Sequence, residues 1–284
     1  MTGTGIETDP YIVNNVADFR TACAESGAYV KLGANIYCDA EWGKLTISAV
    51  DVDFNNFFIM SPYATGTNLI EASSSTVIHD GQIVGIREDS FNDTRTGMTN
   101  VFVNGTYNRF GFSMEIDALK NSSSAFFNKC SIEDCNIEII FNNVANRSIT
   151  PFYKGSLKHS NVKIITPNNT EFEYFAKNDG QYSYYITNNR IEANVKKLVG
   201  FKGGGTSYCY LYLRNNTILT KNTSGSLVEK ISGYTEFNVS NNVYNSDLAT
   251  FSSQSGLKAC TTEQLQSPEY LNSIGFTVIE KEVS

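Results

Sequence analysis

The stretch Leu213-Arg-Asn-Asn-Thr-Ile218 joins two apolar residues through a short polar turn, and the same six-residue pattern returns along most of the chain. The other units are Val52–Phe57, Ile78–Ile83, Ile132–Ile137, Leu157–Val162, Ile186–Ile191 and Val239–Tyr244. From Val52 to Val239, the first residues of successive units are 26, 54, 25, 29, 27 and 26 positions apart. A period in this range predicts a solenoid, and the gap of 54 predicts one degenerate unit, Phe102–Tyr107.

Each unit has the form of two short strands separated by a polar turn. Apolar and polar positions alternate with a period of two in Tyr208–Leu213, and the segments between the units show no helical periodicity. Roughly 25 residues suit three short strands and three turns at ~3.3 Å per residue, and parallel crossovers are overwhelmingly right-handed. The sequence therefore predicts an all-β fold, a right-handed single-stranded parallel β-helix of about eight coils with short helical caps at both ends.

The fourth position of the units favours residues that suit a sharp bend. These residues are Asn55, Gly81, Cys135, Ser160, Asn189, Asn216 and Asn242. Asn and Gly tolerate the left-handed backbone conformation, and stacked Asn side chains can hydrogen-bond to those above and below. We therefore interpret Asn55, Asn189, Asn216 and Asn242 as a structural turn ladder rather than a binding site.

These units resemble the pectin-lyase-like parallel β-helix superfamily over about residues 45–255. The resemblance implies the architecture and leaves the activity open, because this fold carries lyases, hydrolases, adhesins and phage tailspikes alike. The opening segment Gly3–Val13 is similar to the start of β-helix proteins in phages and in surface proteins of gut-type bacteria.

Both ends of the chain differ from the repeats and are expected to cover the exposed coils of the solenoid. In residues 1–44, Asp9–Val13 predicts a strand and Asn15 predicts the cap of a short helix. In residues 256–284, Thr261 and Ser267 each predict a helix start. The predicted organisation is an N-terminal cap over 1–44, a β-helix over 45–255 and a C-terminal cap over 256–284.

Composition argues against several classes of function. The net charge is −7 and no basic run is present, which argues against nucleic acid; an acidic rod would not seek anionic membranes. The opening Met1–Gly5 lacks the features of a signal peptide, so synthesis in a host cytoplasm is expected.

The six cysteines match no zinc pattern. Register places Cys130 and Cys209 inward, which predicts buried free thiols rather than disulfides.

A catalytic site is not evident in the sequence. The candidate carboxylate pairs are Glu115 with Asp117, Glu171 with Glu173, and Glu133 with Asp134, and such pairs are usually solvated. The motifs Asn-Thr-Asp, Gly-His-Gly and Arg-x-Pro-x-x-Arg, expected of polygalacturonases and pectate lyases, are missing. We expect His79 and His159 to sit in the second position of a turn, facing solvent or making a turn hydrogen bond. The sequence thus predicts no catalytic residue, metal ligand or cofactor.

One strand carries a stripe of tyrosines that suits a binding surface. Register points Tyr208, Tyr210 and Tyr212 outward, where they could stack on a sugar or cover a subunit interface. An ordinary exposed strand face is the competing interpretation, because Tyr favours strands.

These observations favour a non-enzymatic structural protein of a tailed phage virion: a head fibre, a capsid decoration protein or a tailspike-like module. The expected partners are other virion proteins, a homotrimer of the chain itself and a glycan on the host surface. The alternative is a polysaccharide depolymerase, a lyase or glycoside hydrolase, on the same fold. A truncated secreted adhesin is a third, less favoured hypothesis.

Overall fold

The structure of the protein is a computed structural model, and it describes most of the chain. The described residues are 1–38, 44–62, 68–86, 100–116, 125–141, 150–166, 171–179, 183–202, 209–221, 228–232, 235–249 and 255–276.

The described strands are numbered β1 to β26 in chain order and form three parallel walls of a β-solenoid. The first wall stacks β1 (Tyr11–Val13), β2 (Tyr29–Leu32), β5 (Asp51–Asp53), β8 (Val77–Ile86), β10 (Thr106–Ile116), β12 (Ser131–Glu133), β15 (Ser156–Lys158), β18 (Tyr184–Thr187), β21 (Cys209–Arg214) and β24 (Thr235–Ser240). The predicted all-β parallel solenoid is therefore confirmed.

The other two walls complete each coil. The second wall stacks β3 (Ile36–Tyr37), β6 (Phe58–Met60), the later halves of β8 and β10, β13 (Asn136–Phe141), β16 (Asn161–Ile165), β19 (Arg190–Ala193), β22 (Thr217–Leu219), β25 (Asn242–Asn245) and β26 (Leu257–Cys260). The third wall stacks β4 (Leu45–Ile47), β7 (Ile70–Ala72), β9 (Asn100–Val103), β11 (Ala125–Asn128), β14 (Thr150–Tyr153), β17 (Phe172–Asp179), β20 (Val195–Lys202) and β23 (Val228–Ser232). Strands β8 and β10 continue from the first wall into the second through the bend.

The bend between the first and second walls is made by one left-handed residue in each of seven coils. These residues are Asp80, Arg109, Asp134, His159, Asn188, Asn215 and Asn241, with φ between 47 and 60°. The left-handed conformation was predicted for the following position, and this prediction is wrong by one residue. The residue there instead turns its side chain into the coil, as Asn189, Asn216 and Asn242 do; all three are buried.

These three asparagines hydrogen-bond to one another along the solenoid. Asn189 Nδ2 donates to Asn216 Oδ1 over 3.0 Å, and Asn216 Nδ2 donates to Asn242 Oδ1 over 2.8 Å. Each of these acceptor oxygens also receives the backbone N–H of the preceding ladder residue. The ladder runs on to Ser160, whose N–H donates to Asn189 Oδ1, and to Cys135, whose N–H donates to Ser160 Oγ. It therefore satisfies buried polar groups at a place where the wall turns.

The structure corrects the assignment of the degenerate repeat. Tyr107 pairs with Ile78 on one side and with Ile132 on the other. The unit in the gap of 54 is therefore Tyr107–Phe112, and Phe102 belongs to the third wall. Aromatic residues at three of its inward positions concealed the pattern.

The first predicted unit is wider than the others. Ile59, rather than Phe57, pairs with Ile83, because two extra residues enlarge the bend. Asn55 is one of these, with φ 51°, and its side chain donates to the carbonyl of Leu32 over 3.3 Å. Asn55 thus lies apart from the asparagine ladder with which it was grouped.

The enlarged bend places an aromatic ring where the ladder would otherwise continue. A Cβ at Gly81 would lie 2.1 Å from Phe54 Cβ, so only glycine fits beneath this side chain. Phe54 and Phe110 then meet edge to face, with ring centroids 4.7 Å apart. Ring packing replaces the hydrogen-bonded ladder in these coils.

The interior is filled by columns of apolar side chains. Phe102, Phe127, Phe152 and Phe175 follow one another behind the third wall, with successive centroids 5.2, 5.1 and 4.8 Å apart. Within the described chain, five cysteines are buried and form no disulfide: Cys23, Cys38, Cys130, Cys135 and Cys260. Burial raises the pKa of Cys130, so this thiol resists ionisation. The side chain of Cys209 lies outside the described set.

Helices cover both ends as expected. Helix α1 (Val16–Ala24) is capped by Asn15, whose side chain accepts from Asp18 N. At the other end, α2 (Thr262–Leu265) has a capping box at Thr261, and α3 (Pro268–Ser273) begins after Ser267. Pairing of β1 with β2 and of β25 with β26 carries the solenoid walls into both predicted caps. None of the described helices is long and apolar enough to cross a membrane.

The ladder predicts a local stability effect. Asn216→Ala should lower the free energy of unfolding by about 1–3 kcal/mol, because it leaves the carbonyl of Ile186 and the N–H of Asn189 without their buried partner. Asn161→Ala is the matched control, since Asn161 is exposed and its side chain donates to the side chain of Asn136, which is also exposed. This control should cost less than about 0.5 kcal/mol. Equal urea midpoints for the two variants would contradict the role assigned to the ladder.

The buried thiols predict slow modification. Native protein should react sparingly with a thiol reagent, and denatured protein should show six reactive groups, one for each cysteine of the chain. Fewer than six groups in unreduced, denatured protein would reveal disulfides and overturn the assignment of free thiols.

Candidate functional site

Among the described residues, the outward features that bear on binding or catalysis are a tyrosine stack on the first wall, a cleft on the second wall and a histidine network at the bend between them.

The tyrosine stack consists of Tyr185, Tyr210 and Tyr212. Tyr185 and Tyr212 occupy paired positions on β18 and β21, with parallel rings 4.7 Å apart. Tyr210 follows at 6.4 Å from Tyr212. The exposed fractions are 37% for Tyr185 and 36% for Tyr210, so aromatic surface faces outward. Tyr208, the third predicted binding residue, lies outside the described residues, and a binding role for the stripe stays a prediction.

Two cations border the stack. Lys158 Nζ lies 5.6 Å from the centroid of Tyr185, and the Arg214 guanidinium lies 5.2 Å from that of Tyr212. Cation–π attraction of this kind contributes about 0.5–1 kcal/mol at exposed sites and holds the ring faces in place. Tyr185 was not among the predicted binding residues, because its pairing with Tyr212 depends on the register of two coils that are 27 residues apart.

The cleft on the second wall has a volume of about 460 Å³. Its polar lining comes from outward positions of five adjacent strands: Gln82, Ser113, Asn136, Glu138, Asn161, Lys163, Arg190 and Glu192. Gly111, where a Cβ would approach Gln82 Cβ to 2.9 Å, and Ser113 contribute the smallest side chains of the lining. Lys163 Nζ lies 3.4 Å from Glu138 Oε1. None of these residues was predicted as a site.

The histidine network joins three consecutive coils. His79 Nε2 lies 3.2 Å from both carboxylate oxygens of Asp51, and His79 Nδ1 lies 2.7 Å from Asp80 Oδ2. Arg109 donates two hydrogen bonds to the same Asp80 carboxylate, from Nε over 2.5 Å and from Nη2 over 2.6 Å. His79 comes one residue before the left-handed residue of its bend, Asp80, whereas His159 is itself the left-handed residue of its bend. The two histidines therefore hold different positions in the bend.

This network favours a charged imidazole. The hydrogen bond to Asp51 is the main cause that raises the pKa of His79 to about 9, against the opposing effect of burial. The Arg109 guanidinium is the main cause that lowers the pKa of Asp80 to about 2. Asp53, His79 and Asp80 lie close enough together to hold a metal ion. An imidazolium that donates from both nitrogens has no lone pair for a metal, so the geometry favours an inter-coil ion-pair network.

A second such group consists of Glu133, Asp134 and His159. Here His159 Nε2 accepts from Asn188 Nδ2 at 2.8 Å, and Asn188 Oδ1 accepts from Asn215 Nδ2 at 3.0 Å. This chain of amides leaves the proton on His159 Nδ1, which faces Glu133 Oε1 at 3.6 Å. The histidine is thus oriented by its neighbours to donate towards the carboxylate.

Of the predicted carboxylate pair Glu171 and Glu173, Glu173 has basic neighbours. Glu173 lies within 4 Å of both Lys196 and Lys197. Asp117, the predicted partner of Glu115, lies outside the described residues. Glu133 and Asp134 belong to the His159 group described above.

Comparison with known proteins adds no assignment. No protein-family model matches the chain, and no curated protein matches it. The class that the geometry itself defines is a capped parallel β-solenoid with an outward tyrosine stack and a polar cleft.

The His79 network predicts a pH-dependent contribution to stability. Because the pKa of His79 is higher in the folded state, the network contributes its full folding stability below the unfolded-state pKa near 6.5. This contribution is lost as the pH rises through the folded-state pKa of about 9. His79→Gln should therefore cost about 1–2 kcal/mol at pH 6, after allowance for solvent screening, and much less at pH 10. Urea unfolding of the parent and of His79→Gln at both pH values measures this cost. A cost for His79→Gln that does not change with pH would contradict the network.

Proposed function

We propose that the protein is a non-enzymatic structural protein of a tailed phage virion, built as a rod whose first wall is covered by a partner surface. The observation that carries the proposal is the outward stack of Tyr185, Tyr210 and Tyr212. The resemblance of the opening segment Gly3–Val13 to β-helix proteins of phages, which surface proteins of gut-type bacteria share, supports the virion assignment. This assignment includes a head fibre, a decoration protein or a tailspike-like module.

The tyrosine stack fits a subunit contact for physical reasons. Its rings offer apolar area, and the hydroxyl groups allow hydrogen bonds at the rim of an interface. Lys158 and Arg214 beside the rings already limit their motion, so covering them costs little side-chain entropy. Symmetry would repeat the stack on every subunit. β-Helix spikes that this chain resembles associate about a three-fold axis, so we propose a homotrimer bound to other virion proteins.

The second candidate, a polysaccharide depolymerase, is favoured by one observation. Glu138 and Glu192 line the same cleft and flank Lys163 on the intervening strand. Two carboxylates separated by two strand spacings, about 9.6 Å, lie near the range used by inverting glycosidases. However, Lys163 lies on the strand between the two carboxylates, with Nζ 3.4 Å from Glu138 Oε1, where the glycosidic bond of a substrate would have to lie. The structural role is therefore the better supported proposal.

The stack can be tested by assembly. Replacing Tyr185, Tyr210 and Tyr212 together with Ser should leave the thermal melt nearly unchanged, because the side chains point away from the core. It should convert the trimer to monomer at micromolar protein concentration, as measured by light scattering. Tyr153→Ser, on the third wall, is the control and should stay trimeric. A monomeric parent, or a triple variant that assembles as the parent does, would contradict the proposed interface.

The virion assignment and the depolymerase have separate tests. Capsid and tail genes beside the gene for this chain would support the virion protein, and their absence would count against it. Release of reducing ends from host polysaccharides by the parent, lost in Glu138→Gln and Glu192→Gln, would establish the depolymerase instead.

A further inference from the structure

The geometry points to a second binding site, independent of the tyrosine stack: the second wall binds an uncharged, extended oligosaccharide that lies along the axis of the solenoid. The second wall is a face of the rod that the proposed assembly through the first wall does not use.

The first step is the shape of the site. The cleft crosses β8, β10, β13, β16 and β19, which are hydrogen-bonded neighbours in parallel register. At ~4.8 Å per strand, these five strands provide a straight track of roughly 19 Å. Gly111 and Ser113 lower its floor at one strand, between larger residues on both sides. A long, straight and open depression suits an extended chain better than a compact small molecule.

The second step is the chemistry of the lining. Gln82, Asn136 and Asn161 present amides, each of which both donates and accepts hydrogen bonds. Sugar hydroxyl groups are also both donors and acceptors, so these amides, which lie in one row on three of the five strands, can pair with them. Asn136, Asn161 and Gln82 are exposed, and these groups are therefore accessible to a ligand.

The third step is the charge. The cleft contains two acidic side chains, Glu138 and Glu192, and two basic ones, Lys163 and Arg190. Glu138, Lys163 and Glu192 alternate in sign along one row of paired positions. Because the charges balance locally, the cleft offers little net attraction to a polyanion or a polycation. This balance favours an uncharged ligand.

The fourth step is an apolar platform on the same wall. The outward row that contains Ser113 continues through Val84, Met60 and Tyr37. Tyr37 is 62% exposed, and its ring meets Phe58 edge to face at 5.5 Å. Aromatic faces pack against the apolar faces of sugar rings, whereas an extended peptide would be recognised mainly through a free strand edge. The interior strands of this wall have both edges paired, which favours a sugar over a peptide strand.

The test fills the cleft without disturbing the core. Ser113 is exposed, so Ser113→Trp should fold normally and block the floor of the cleft. The control is Ser131→Trp, an outward-facing serine on the first wall. Tyr37→Ala tests the platform separately. Circular dichroism melts establish that each variant folds.

The probes are soluble linear polysaccharides run in affinity electrophoresis: xylan, mannan, mixed-linkage β-glucan and amylose as uncharged chains, with hyaluronan and polygalacturonate as anionic chains. At least one uncharged chain should retard the parent and Ser131→Trp equally. Ser113→Trp should lose at least tenfold in affinity, and Tyr37→Ala should lose a smaller factor.

Several outcomes overturn the inference: no uncharged chain binds, only anionic chains bind, or Ser113→Trp binds as the parent does. Dimerisation of the parent that Ser113→Trp alone abolishes would make the second wall a contact between copies instead. The triple tyrosine variant keeps the two proposals distinguishable, because it should lose assembly while each subunit still binds the polysaccharide.

Discussion

The hydrogen bonds between successive coils at the bend are the constraint on which the rest of the structure depends. A parallel sheet can turn a corner only if each strand bends at the position that is paired with the bends of its neighbours. Otherwise the inter-strand hydrogen bonds on one side of the corner fall out of register. A single left-handed residue in each of seven coils provides this change of direction. In the later coils the side chain that follows it turns inward and holds the coil in register with its neighbours, whereas at Gly81 the ring of Phe54 fills this place. The alignment of all outward columns, including the tyrosine stack and the cleft, follows from that registration.

The bend also explains why the charged residues near it are structural. Side chains on adjacent coils stand ~4.8 Å apart, a spacing at which opposite charges attract and like charges repel appreciably. His79 lies between Asp51 and Asp80, and Arg109 forms an ion pair with the same Asp80 carboxylate. A cluster that superficially resembles a catalytic or metal site is thus the means by which a column of ionisable residues avoids repulsion.

Much of the fold was predictable from the sequence, because period, strand alternation and cap residues are local signals. The three helix starts at Asn15, Thr261 and Ser267 were all confirmed. The errors arose where local signals were ambiguous. In an Asn-Asn pair either residue can adopt the left-handed conformation, and only the packing inside the coil selects the first. Tyr107 and Phe110 replaced the usual aliphatic and small residues, so their unit was placed five residues too early. The cleft could not be predicted, because its lining combines residues from five coils whose relative register no single segment encodes. The small pair Gly111 and Ser113, flanked by larger residues in the aligned coils, was the available signal.

The two extra residues in the bend of the Val52 coil carry a wider consequence. Asn55 and Asn56 both adopt left-handed conformations, and the strand after them resumes its pairing at Phe58 with Gln82. The coil absorbs the added length within one corner and passes no displacement to its neighbours. The rod therefore behaves as a stack of units that can vary separately at their corners. New loops could be inserted at such a corner, and the outward face remodelled, without a change in the number of coils or in their spacing.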